Sequence, residues 1–516
     1  MGSDSIDGVR LDRLHILQSS LTPLVECLAD IMNSTLTHIL AELERDTSTE
    51  VADGFARLVA AYFADTRVAD GRVSTGETAA ALAARFDEPM PQAGRPVTEV
   101  LARLERDVIA ESNRLMHPRS MGHQVSAPLA VAVWAETLTA ALNQSGAVWE
   151  MSPVGTIIET QVVRWMCQLA GFGPGAGGAF TSGGTEATFA GLLAARQVAL
   201  PEAWSRGIGH NPPVVVCGEH AHYGVGRAVG ELGLGTDHIV PVPSRDFQMD
   251  VAALEQTLDR LSRERRAVMA VVATAGTTAT GSFDDLESIG RLCEARGLWL
   301  HVDGAHGASA LFSSTRRARL AGLHRARSLA WDPHKMMLIP LTASVVLVRD
   351  EADLEAAFSQ RAPYLFHAGD GERNWDQGVR SFSCSRRIDA FKVWVAIQRH
   401  GAAAFGTLYD HLCDTTTTLF EILRARPDVA TLHEPQANIL CFRYVGDRSR
   451  NDEGLDALNL ELRTRYNRGG DGWITTTVLG GRRVLRVTLM NPRTTAADVA
   501  RVVDGLARLG ADLAAR

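Results

Sequence analysis

The sequence predicts an α/β protein with a mostly parallel central sheet that helices cover on both faces. Short apolar segments ending in small or polar residues recur at 214–220, 267–276, 298–306 and 343–350, and helical patterns such as 285–297 separate them. Strands that alternate with helices are typical of parallel sheets, because each crossover helix packs on a face of the sheet. With 516 residues, 46% of them hydrophobic and 22% charged, the chain can bury a large core without disulfides.

The flanks of this region have other patterns. Residues 1–88 are rich in Ala and Leu at helical spacing, the proline-bounded segment 89–96 is a break, and 97–200 is again predicted to be mostly helical. A strand pattern at 482–491 and a helix from Ala496 indicate a smaller C-terminal α/β domain. We therefore expect a helical N-terminal segment, a large domain and a small domain, over residues 1–115, 116–395 and 396–516.

Charge and cysteine content exclude several classes of protein. The net charge is −8, and no cluster of Lys and Arg stands out, which argues against nucleic acid or an anionic membrane as a partner. The seven cysteines are scattered and form no C-x-x-C pair, as expected in a reducing cytoplasm. The N-terminus has no signal-peptide pattern, and the longest apolar runs are about half the length that spans a bilayer. A cytoplasmic protein with a small-molecule partner is the expectation.

A glycine-rich segment, TSGGTEATFAGLLAAR at 181–196, stands directly before a strong helical pattern. Ser182, Thr185 and Glu186 are residue types that cap helix starts. Backbone N–H groups at such a start bind phosphate well, so the segment is a candidate phosphate site. A capped helix without a ligand explains the same residues, and glycine-rich helix starts are common.

A second segment, GEHAHYGVGRAVGELG at 218–233, follows a predicted strand. Its glycine spacing, G-x-G-x-x-x-G, does not match the dinucleotide-binding pattern, and no acidic residue is well placed for a ribose. His220 and His222 fit three roles: metal ligands, ordinary loop residues, or an aromatic cover for a flat ring bound beside the strand end.

Asp303 ends a strongly apolar strand in LWLHVDGAHG at 298–307. Ligands of parallel sheets bind at the carboxyl ends of the strands, and a buried carboxylate is costly unless a cation pairs with it. Three interpretations are open: a metal site formed with His301 and His306, a helix cap, and pairing with a protonated pyridine nitrogen.

Only two of the 52 basic residues are lysines, Lys335 in SLAWDPHKMMLIP and Lys392 in DAFKVWVAIQRHG. Lys392 lies in a helical pattern and is interpreted as an ordinary helix residue. Lys335 follows His334 among apolar residues, where a snorkelling surface lysine is the usual explanation. That explanation is weaker here, because the chain uses arginine at nearly every other basic position. A partly desolvated lysine amine readily forms imines.

Together these segments describe one chemistry. A phosphate-binding helix start, an aromatic cover, a carboxylate partner and an imine-forming lysine are what pyridoxal phosphate requires. Each group is predicted at a strand-to-loop junction, where a parallel sheet would bring them together.

At these residues the sequence resembles the group II pyridoxal-phosphate-dependent amino acid decarboxylases, which include enzymes for glutamate, cysteine sulfinate, 2,4-diaminobutyrate and aromatic amino acids. The resemblance runs from about His117 to the C-terminus, through SGGTEAT, AHYGVGRA, TAGTTATGSFD, HVDGAHG, DPHK, SFSCSRRIDAFKVW and LRVTLMNP. It implies the aspartate-aminotransferase-like fold type I and a homodimer with the active site at the subunit interface. The N-terminal segment would then make dimer contacts, and the large domain would bind pyridoxal 5′-phosphate.

The resemblance also implies roles for individual residues. Lys335 would be the Schiff-base lysine, Asp303 would keep the pyridine nitrogen protonated, and His222 would stack on the ring, and these three would be the catalytic residues. The others are Gly183, Gly184, Thr185 and His334 at the phosphate, Thr278 and Ala305 along the ring, Arg486 at the substrate α-carboxylate, and His123, Gln124 and His306 in the substrate pocket.

Three features depart from the family pattern. The stretch 367–378 lacks the tyrosine that usually reprotonates the α-carbon, Asp332 stands where asparagine is usual, and the pocket residues differ from those of the glutamate branch. The polar, somewhat basic pocket favours an acidic side chain on the substrate.

We therefore expect decarboxylation of an L-amino acid with a polar or acidic side chain to the amine and CO2. Decarboxylation of 2,4-diaminobutyrate or of an aromatic amino acid is an alternative. The missing tyrosine makes aldehyde synthesis another, beside aminotransfer. A non-catalytic relative and a metal-dependent hydrolase that uses the histidines near Asp303 are more distant alternatives.

Overall fold

The computed structural model describes residue 34 and residues 36–68, 70–358, 374–447 and 449–515. The helical pattern of the first 33 residues and most of the tyrosine-free stretch therefore lie outside the described residues. Spatial clustering divides the chain into two compact units, Met1–Asp65 with Glu77–Ser112, and Thr66–Gly76 with Asn113–Arg516. The three-part division made from the sequence stays a prediction.

The described part of the first unit is helical. Thr78 begins one helix by accepting a hydrogen bond from the Ala81 N–H at 3.1 Å. A π-helical turn, Leu104–Ile109, continues the last helix. The helices are α1 (residues 36–45), α2 (Thr49–Arg67), α3 (Ala79–Phe86) and α4 (Val97–Arg103).

The second unit contains a seven-stranded sheet. Its strands, with the separate hairpin β4–β5, are β1 (Gly177–Thr181), β2 (Val214–Gly218), β3 (Ile239–Val242), β4 (Ser244–Arg245), β5 (Gln248–Met249), β6 (Val268–Thr274), β7 (Trp299–Asp303), β8 (Ser328–Trp331) and β9 (Ser344–Val348). The order is β1-β9-β8-β7-β6-β2-β3, and only β9 runs against the other six. The predicted mostly parallel sheet is confirmed.

One strand was not found from the sequence. Residues 97–200 are mostly helical, as expected, but they also contain strand β1. Its sequence, GGAFT, is short and contains two glycines, so it lacks the apolar run that marked the other strands. Pairing with β9 rather than local propensity makes it a strand.

Both faces of the sheet are buried. Successive residues of a strand point to opposite faces, and on each face they belong to an apolar cluster. Val214 and Val216 belong to one apolar cluster, and Val215 and Cys217 belong to the cluster on the other face. The helices of this region are α5 (Ala130–Leu142), α6 (Pro153–Leu169), α7 (Gly184–Ala199), α8 (Ala203–Arg206), α9 (Tyr223–Glu231), α10 (Val251–Arg263), α11 (Leu286–Ala295), α12 (Ala352–Ala357) and α13 (Ala390–His400).

A four-stranded antiparallel sheet follows, in the order β10-β11-β13-β12. The predicted C-terminal strand and the helix that begins at Ala496 are both present, and Thr495 caps that helix with a capping box. A third apolar cluster lies between this sheet and its helices. The elements are β10 (Val429–Thr431), β11 (Ile439–Tyr444), β12 (Thr475–Leu479), β13 (Arg482–Thr488), α14 (Ala402–Arg424), α15 (Asp452–Gly469) and α16 (Ala496–Ala514).

Candidate active site

Most of the residues selected from the sequence meet at one edge of the seven-stranded sheet, where β1, β2, β6, β7 and β8 end. They line a cavity of about 220 Å³. Three of the selected residues, Arg486, His123 and Gln124, do not belong to its described lining. Those that do are Gly183, Gly184, Thr185, His222, Thr278, Asp303, Ala305, His306, His334 and Lys335.

The glycine-rich segment forms the turn from β1 into α7. The Ser182 N–H donates to Glu186 Oε2 at 2.8 Å, which ties the turn to the first turn of the helix. At Gly184 a Cβ would lie 2.8 Å from Asp332 Oδ2 and 3.0 Å from Ala305 Cβ, so a side chain has no room there. Because a helix start carries N–H groups without intrahelical partners, this wall of the cavity is suited to an anion.

His222 caps the start of α9, directly after the loop that follows β2. Its Nδ1 accepts a hydrogen bond from the Gly224 N–H at 3.1 Å, so the hydrogen of the neutral ring is on Nε2. A Cβ at Gly224 would lie 2.8 Å from this Nδ1, which explains one glycine of the second motif. Burial lowers the pKa of His222, and the neighbouring Asp303 opposes this effect.

Asp303 is the last residue of β7 and is 8% exposed. Its Oδ1 accepts a hydrogen bond from the Ala305 N–H at 3.2 Å. Burial raises the pKa of Asp303, while Lys335 and His222 lower it. A cation that entered the cavity beside this carboxylate would therefore stabilise its charged form.

Lys335 and Asp332 lie in the loop after β8. The Lys335 Nζ is 3.0 Å from Asp332 Oδ2, while Asp332 Oδ1 has no hydrogen-bond partner among the described residues. The His334 Nδ1 lies 2.8 Å from the carbonyl oxygen of Ala343, 3.2 Å from Ser344 Oγ and 3.3 Å from the Ala343 nitrogen, and its Nε2 is 3.6 Å from Asp332 Oδ2. Sequence reasoning noted Asp332 as a departure but did not select it as a site residue. Asp332 could have been selected from the sequence, because it is a polar residue directly after an apolar strand.

His306 is held in one tautomer by Asn438. The Asn438 Nδ2 donates to the carbonyl oxygen of Leu489 at 2.8 Å, so its Oδ1 is the acceptor that faces His306 Nε2 at 2.6 Å. His306 Nε2 must then carry a hydrogen. Burial, with Lys335 and Arg486 adding to its effect, lowers the pKa of His306 to about 3, so the ring is neutral at physiological pH. No signal in the sequence pointed to Asn438.

Arg486, on β13, is a buried cation with unused hydrogen-bond donors. It is 6% exposed, and its Nε and Nη2 have no partner among the described residues. The ring of His123 lies edge-on to Trp473, with 5.0 Å between the ring centroids. Burial lowers the pKa of His123, and Arg486 lowers it further. The Nε2 of Gln124 is also buried without a partner in the described structure.

The described residues also bear on two other classes of protein, metal-binding and membrane-spanning. Among the described residues no group of three or more His, Cys, Asp or Glu side chains is arranged to hold a metal ion. In the same part of the chain, no helix has both the length and the apolar character to cross a membrane.

Comparison with known proteins gives a family match over most of the chain. The family described as the pyridoxal-dependent decarboxylase conserved domain matches residues 80–445. The chain is 34% identical over 437 residues to an L-2,4-diaminobutyrate decarboxylase of Rhizobium meliloti, covering 83% of this chain and 84% of the relative. It is 31% identical over 440 residues to the acidic amino acid decarboxylase GADL1 of Homo sapiens, with 83% and 84% covered.

Solved structures show the same fold. The structure of mouse CSAD has a TM-score of 0.84 at 27% identity and covers 90% of this chain and 99% of the other. The glutamate decarboxylase domain of a Vibrio parahaemolyticus diaminobutyrate-pyruvate transaminase and L-2,4-diaminobutyrate decarboxylase has a TM-score of 0.79 at 27% identity, with 90% and 95% covered. The expected fold type I is confirmed.

Proposed function

The chain belongs to the pyridoxal-dependent decarboxylases, with pyridoxal phosphate as cofactor, and we propose that its substrate is an L-amino acid with an acidic side chain. The observation that carries an amino acid as substrate is the buried Arg486, whose guanidinium has two nitrogens without partners among the described residues. A buried cation with unused donors is costly until an anion pairs with it. The acidic side chain rests on the cations around the pocket histidines, described below.

The described residues fit the cofactor. At Gly184 a Cβ would meet Asp332 and Ala305, so glycine lets these residues pack against the helix start, and at Gly183 a Cβ would meet no atom within 4 Å, which leaves space for a phosphate. The Lys335 amine and the Asp303 carboxylate reach the same cavity, the first as the partner of an aldehyde and the second as the partner of a ring nitrogen. Gly183, Thr185 and His334 would complete the phosphate site, and Thr278, Ala305 and His222 would enclose the ring.

When bound, the cofactor supplies an electron-accepting ring that stabilises the electron pair left by the departing carboxylate. Asp303 keeps that ring cationic, because its own buried charge is stabilised by a proton on the ring nitrogen. Arg486 binds the α-carboxylate and fixes the orientation of the bond that breaks. His222 has its single hydrogen on Nε2, because Nδ1 is occupied by the Gly224 N–H, so the neutral ring would cover the cofactor and donate a hydrogen bond rather than release a proton.

Charge around the substrate pocket supports an acidic side chain. Both pocket histidines have lowered pKa values: His123 through burial, Arg486 and Arg463, and His306 through burial, Lys335 and Arg486. The cations near these rings create a positive potential. Asp303 and Asp332 are the acids in the described lining of the cavity, and in our proposal neither contacts the substrate side chain.

L-2,4-Diaminobutyrate is a second candidate. The observation in its favour is the identity of 34% and 32% to two L-2,4-diaminobutyrate decarboxylases, each over about four-fifths of the chain. A cationic substrate side chain would need an acidic partner, and Asp332 is the carboxylate in the lining that could supply one.

The deciding experiment measures CO2 release from L-glutamate, L-aspartate, cysteine sulfinate, 2,4-diaminobutyrate and an aromatic amino acid by the cofactor-loaded enzyme. We expect the highest kcat/KM with one of the three acidic substrates. A preference for 2,4-diaminobutyrate would overturn the substrate proposal and leave the decarboxylase class intact. Parallel measurement of aldehyde, ammonia and peroxide tests the alternative of aldehyde synthesis.

We also propose a homodimer with the active site at the subunit interface. Large apolar side chains lie exposed along α5 and at the start of α6, and a patch of this kind favours a protein partner. The proposal predicts twice the chain mass by light scattering and a shift to monomer for Leu138→Asp. The side chains are Trp134, Leu138, Leu142, Val154 and Ile157.

A cytoplasmic location is the last part of the proposal. All six cysteines in the described part of the chain are free thiols, and five of them are buried, which suits a reducing compartment. Fractionation of the native host with an antibody to the chain checks this expectation.

A further inference from the structure

Asp332 places a carboxylate against the wall of the cavity that is suited to phosphate. Its two oxygens lie 2.8 and 3.0 Å from the position that a Cβ on Gly184 would take, directly beside the start of α7. Asp332 is 1% exposed, so water does not screen this charge. An anion bound at the helix start would therefore be a close neighbour of a buried carboxylate.

The present partners of this carboxylate are few. Oδ2 contacts the Lys335 Nζ at 3.0 Å and lies 3.6 Å from His334 Nε2, and Oδ1 has no hydrogen-bond partner in the described part of the chain. Lys335 is the residue that we assign to the cofactor aldehyde. In that reaction one C=N bond forms, one water leaves and the positive charge stays on the nitrogen. The Lys335 nitrogen would then be bonded to the cofactor, and its positive charge would no longer be paired with Asp332 alone.

The other charged or titratable groups that bear on this region offer no replacement. Asp303 at the end of β7 is a second carboxylate, and Asp332 interacts with it as a like charge that raises its pKa. His222 on α9 is hydrogen-bonded to the Gly224 N–H and His306 after β7 to Asn438, rather than to Asp332. Lys392 on α13 lowers the pKa of His334, but its Nζ is paired with Glu136 at 2.6 Å.

His334 is the nearest group that can take a positive charge. Its Nδ1 is closer to the Ala343 carbonyl oxygen, at 2.8 Å, than to the Ala343 nitrogen, at 3.3 Å, which favours a hydrogen on Nδ1. Nε2, on the side of Asp332, is then the position where a proton can be added. Burial lowers the pKa of His334, while the charge of Asp332 opposes that effect. An additional proton on His334 Nε2 would therefore lie next to Asp332 Oδ2, which is 3.6 Å away.

We propose that the Asp332–His334 pair takes up one proton when the phosphate of the cofactor binds. A phosphate monoester carries about two negative charges near neutral pH. Two anions in one buried site do not both remain charged without a cation between them. One proton on the pair, shared between the Asp332 oxygen and His334 Nε2, removes this repulsion and provides a hydrogen-bond donor. The inference rests on the proposed assignment of Lys335 and of the helix start to the cofactor.

The direct test counts protons by isothermal titration calorimetry of the cofactor-free enzyme with pyridoxal phosphate. Runs at pH 7.5 in two buffers of different ionisation enthalpy give the number of protons exchanged. We expect the wild type to take up about one proton more than Asp332→Asn, which keeps the shape of the side chain but carries no charge. Equal proton counts in the two proteins would overturn the proposal.

The pH dependence of the Kd for pyridoxal phosphate is a second readout, and proton linkage predicts its direction. Because the bound state holds the additional proton and the unliganded state does not, affinity falls as pH rises, by up to about tenfold per pH unit. The wild-type Kd should rise from pH 7 to pH 8.5 more steeply than that of Asp332→Asn. If the Kd of both proteins rises equally steeply with pH, binding of the phosphate is not coupled to a proton on the Asp332–His334 pair.

A comparison of two ligands needs no variant and so remains informative if Asp332→Asn folds poorly. Pyridoxal without its phosphate has the same aldehyde and ring, and its binding should take up about one proton fewer than that of pyridoxal phosphate by the wild type. Identical counts for the two ligands refute the proposal. Failure of the wild type to bind pyridoxal phosphate at all would instead refute the assignment of the cavity to the cofactor.

Discussion

Substitution of Gly184 by alanine tests the phosphate wall of the cavity most directly. Gly184 is the first residue of α7, and alanine is a better helix former than glycine, so the backbone itself tolerates the change. The added Cβ would lie 2.8 Å from Asp332 Oδ2 and 3.0 Å from Ala305 Cβ. These contacts are at least about 0.5 Å shorter than ordinary van der Waals separation.

The substitution should weaken cofactor binding more than it destabilises the cofactor-free protein. Without cofactor, the Asp332 carboxylate can move into the cavity and relieve the contact, but a bound phosphate blocks that movement. Overpacking of a buried site costs about 1–3 kcal/mol, which corresponds to a loss of about 5- to 150-fold in affinity. We therefore expect the Kd for pyridoxal phosphate to rise by that factor, with little change in the unfolding temperature of the cofactor-free protein.

The assay is equilibrium titration with pyridoxal phosphate, followed by the visible absorption of the bound cofactor. Gly226→Ala on α9 is the matched control, because its Cβ would lie 3.7 Å from Ile239 Cδ1, an ordinary contact. Its Kd should stay within about twofold of the wild type. If Gly184→Ala binds the cofactor as tightly as this control does, the phosphate does not lie against the start of α7.

Three further substitutions test other parts of the site and the core. Lys335→Ala should lose the visible band of the covalently held cofactor while still binding pyridoxal phosphate more weakly, and an unchanged band would exclude Lys335 as its partner. Arg486→Lys should lower kcat/KM by about 100-fold, because lysine cannot make the paired contact with a carboxylate, whereas an equal loss with the decarboxylated amine as a ligand would indicate damage to the fold. His301 is fully buried, and burial lowers its pKa to about 3. The neutral ring therefore contributes stability above about pH 6.5 that is lost as the pH falls, about 2 kcal/mol at pH 5. Urea unfolding at pH 7.5 and pH 5 should show that His301→Gln loses about 2 kcal/mol less than the wild type over this range, and equal losses would show that His301 is not responsible.

The strands that could be predicted were those with unbroken apolar runs, since burial on both faces selects such runs in a parallel sheet. β1 could not be, because its sequence, GGAFT, has no apolar run: its two glycines lie against Glu351 and the β9 backbone, where a Cβ has no room. Asp303 and Lys335 could be selected because each is a charged residue in an apolar context. Their position at adjacent strand ends then followed from the topology.

Other features of the site come from contacts that no local pattern encodes. Asn438, directly before β11, and Arg486, on β13, are far along the chain from the residues that they affect. The tautomer of His306 depends on a side chain 132 positions away, whose own orientation is set by the carbonyl of Leu489. The motifs GEHAHYGVGRA and HVDGAHG suggested histidines without indicating their protonation, and only the hydrogen bonds of the folded chain determine it.

The charge of Asp332 also bears on which substrate the cavity accepts. With Asp303 paired to the ring nitrogen, and with the Lys335 charge retained, a doubly charged phosphate beside an ionised Asp332 leaves an excess of negative charge that Arg486 reduces but does not cancel. An excess of this kind would favour the ammonium of 2,4-diaminobutyrate over a second carboxylate. Uptake of a proton by the Asp332–His334 pair removes one negative charge and makes an acidic substrate compatible with the same cavity. If the pair holds this proton in the loaded enzyme, Asp332→Asn should change kcat/KM for the acidic substrate and for 2,4-diaminobutyrate by a similar factor. A selective loss with 2,4-diaminobutyrate would show that Asp332 stays ionised beside the phosphate.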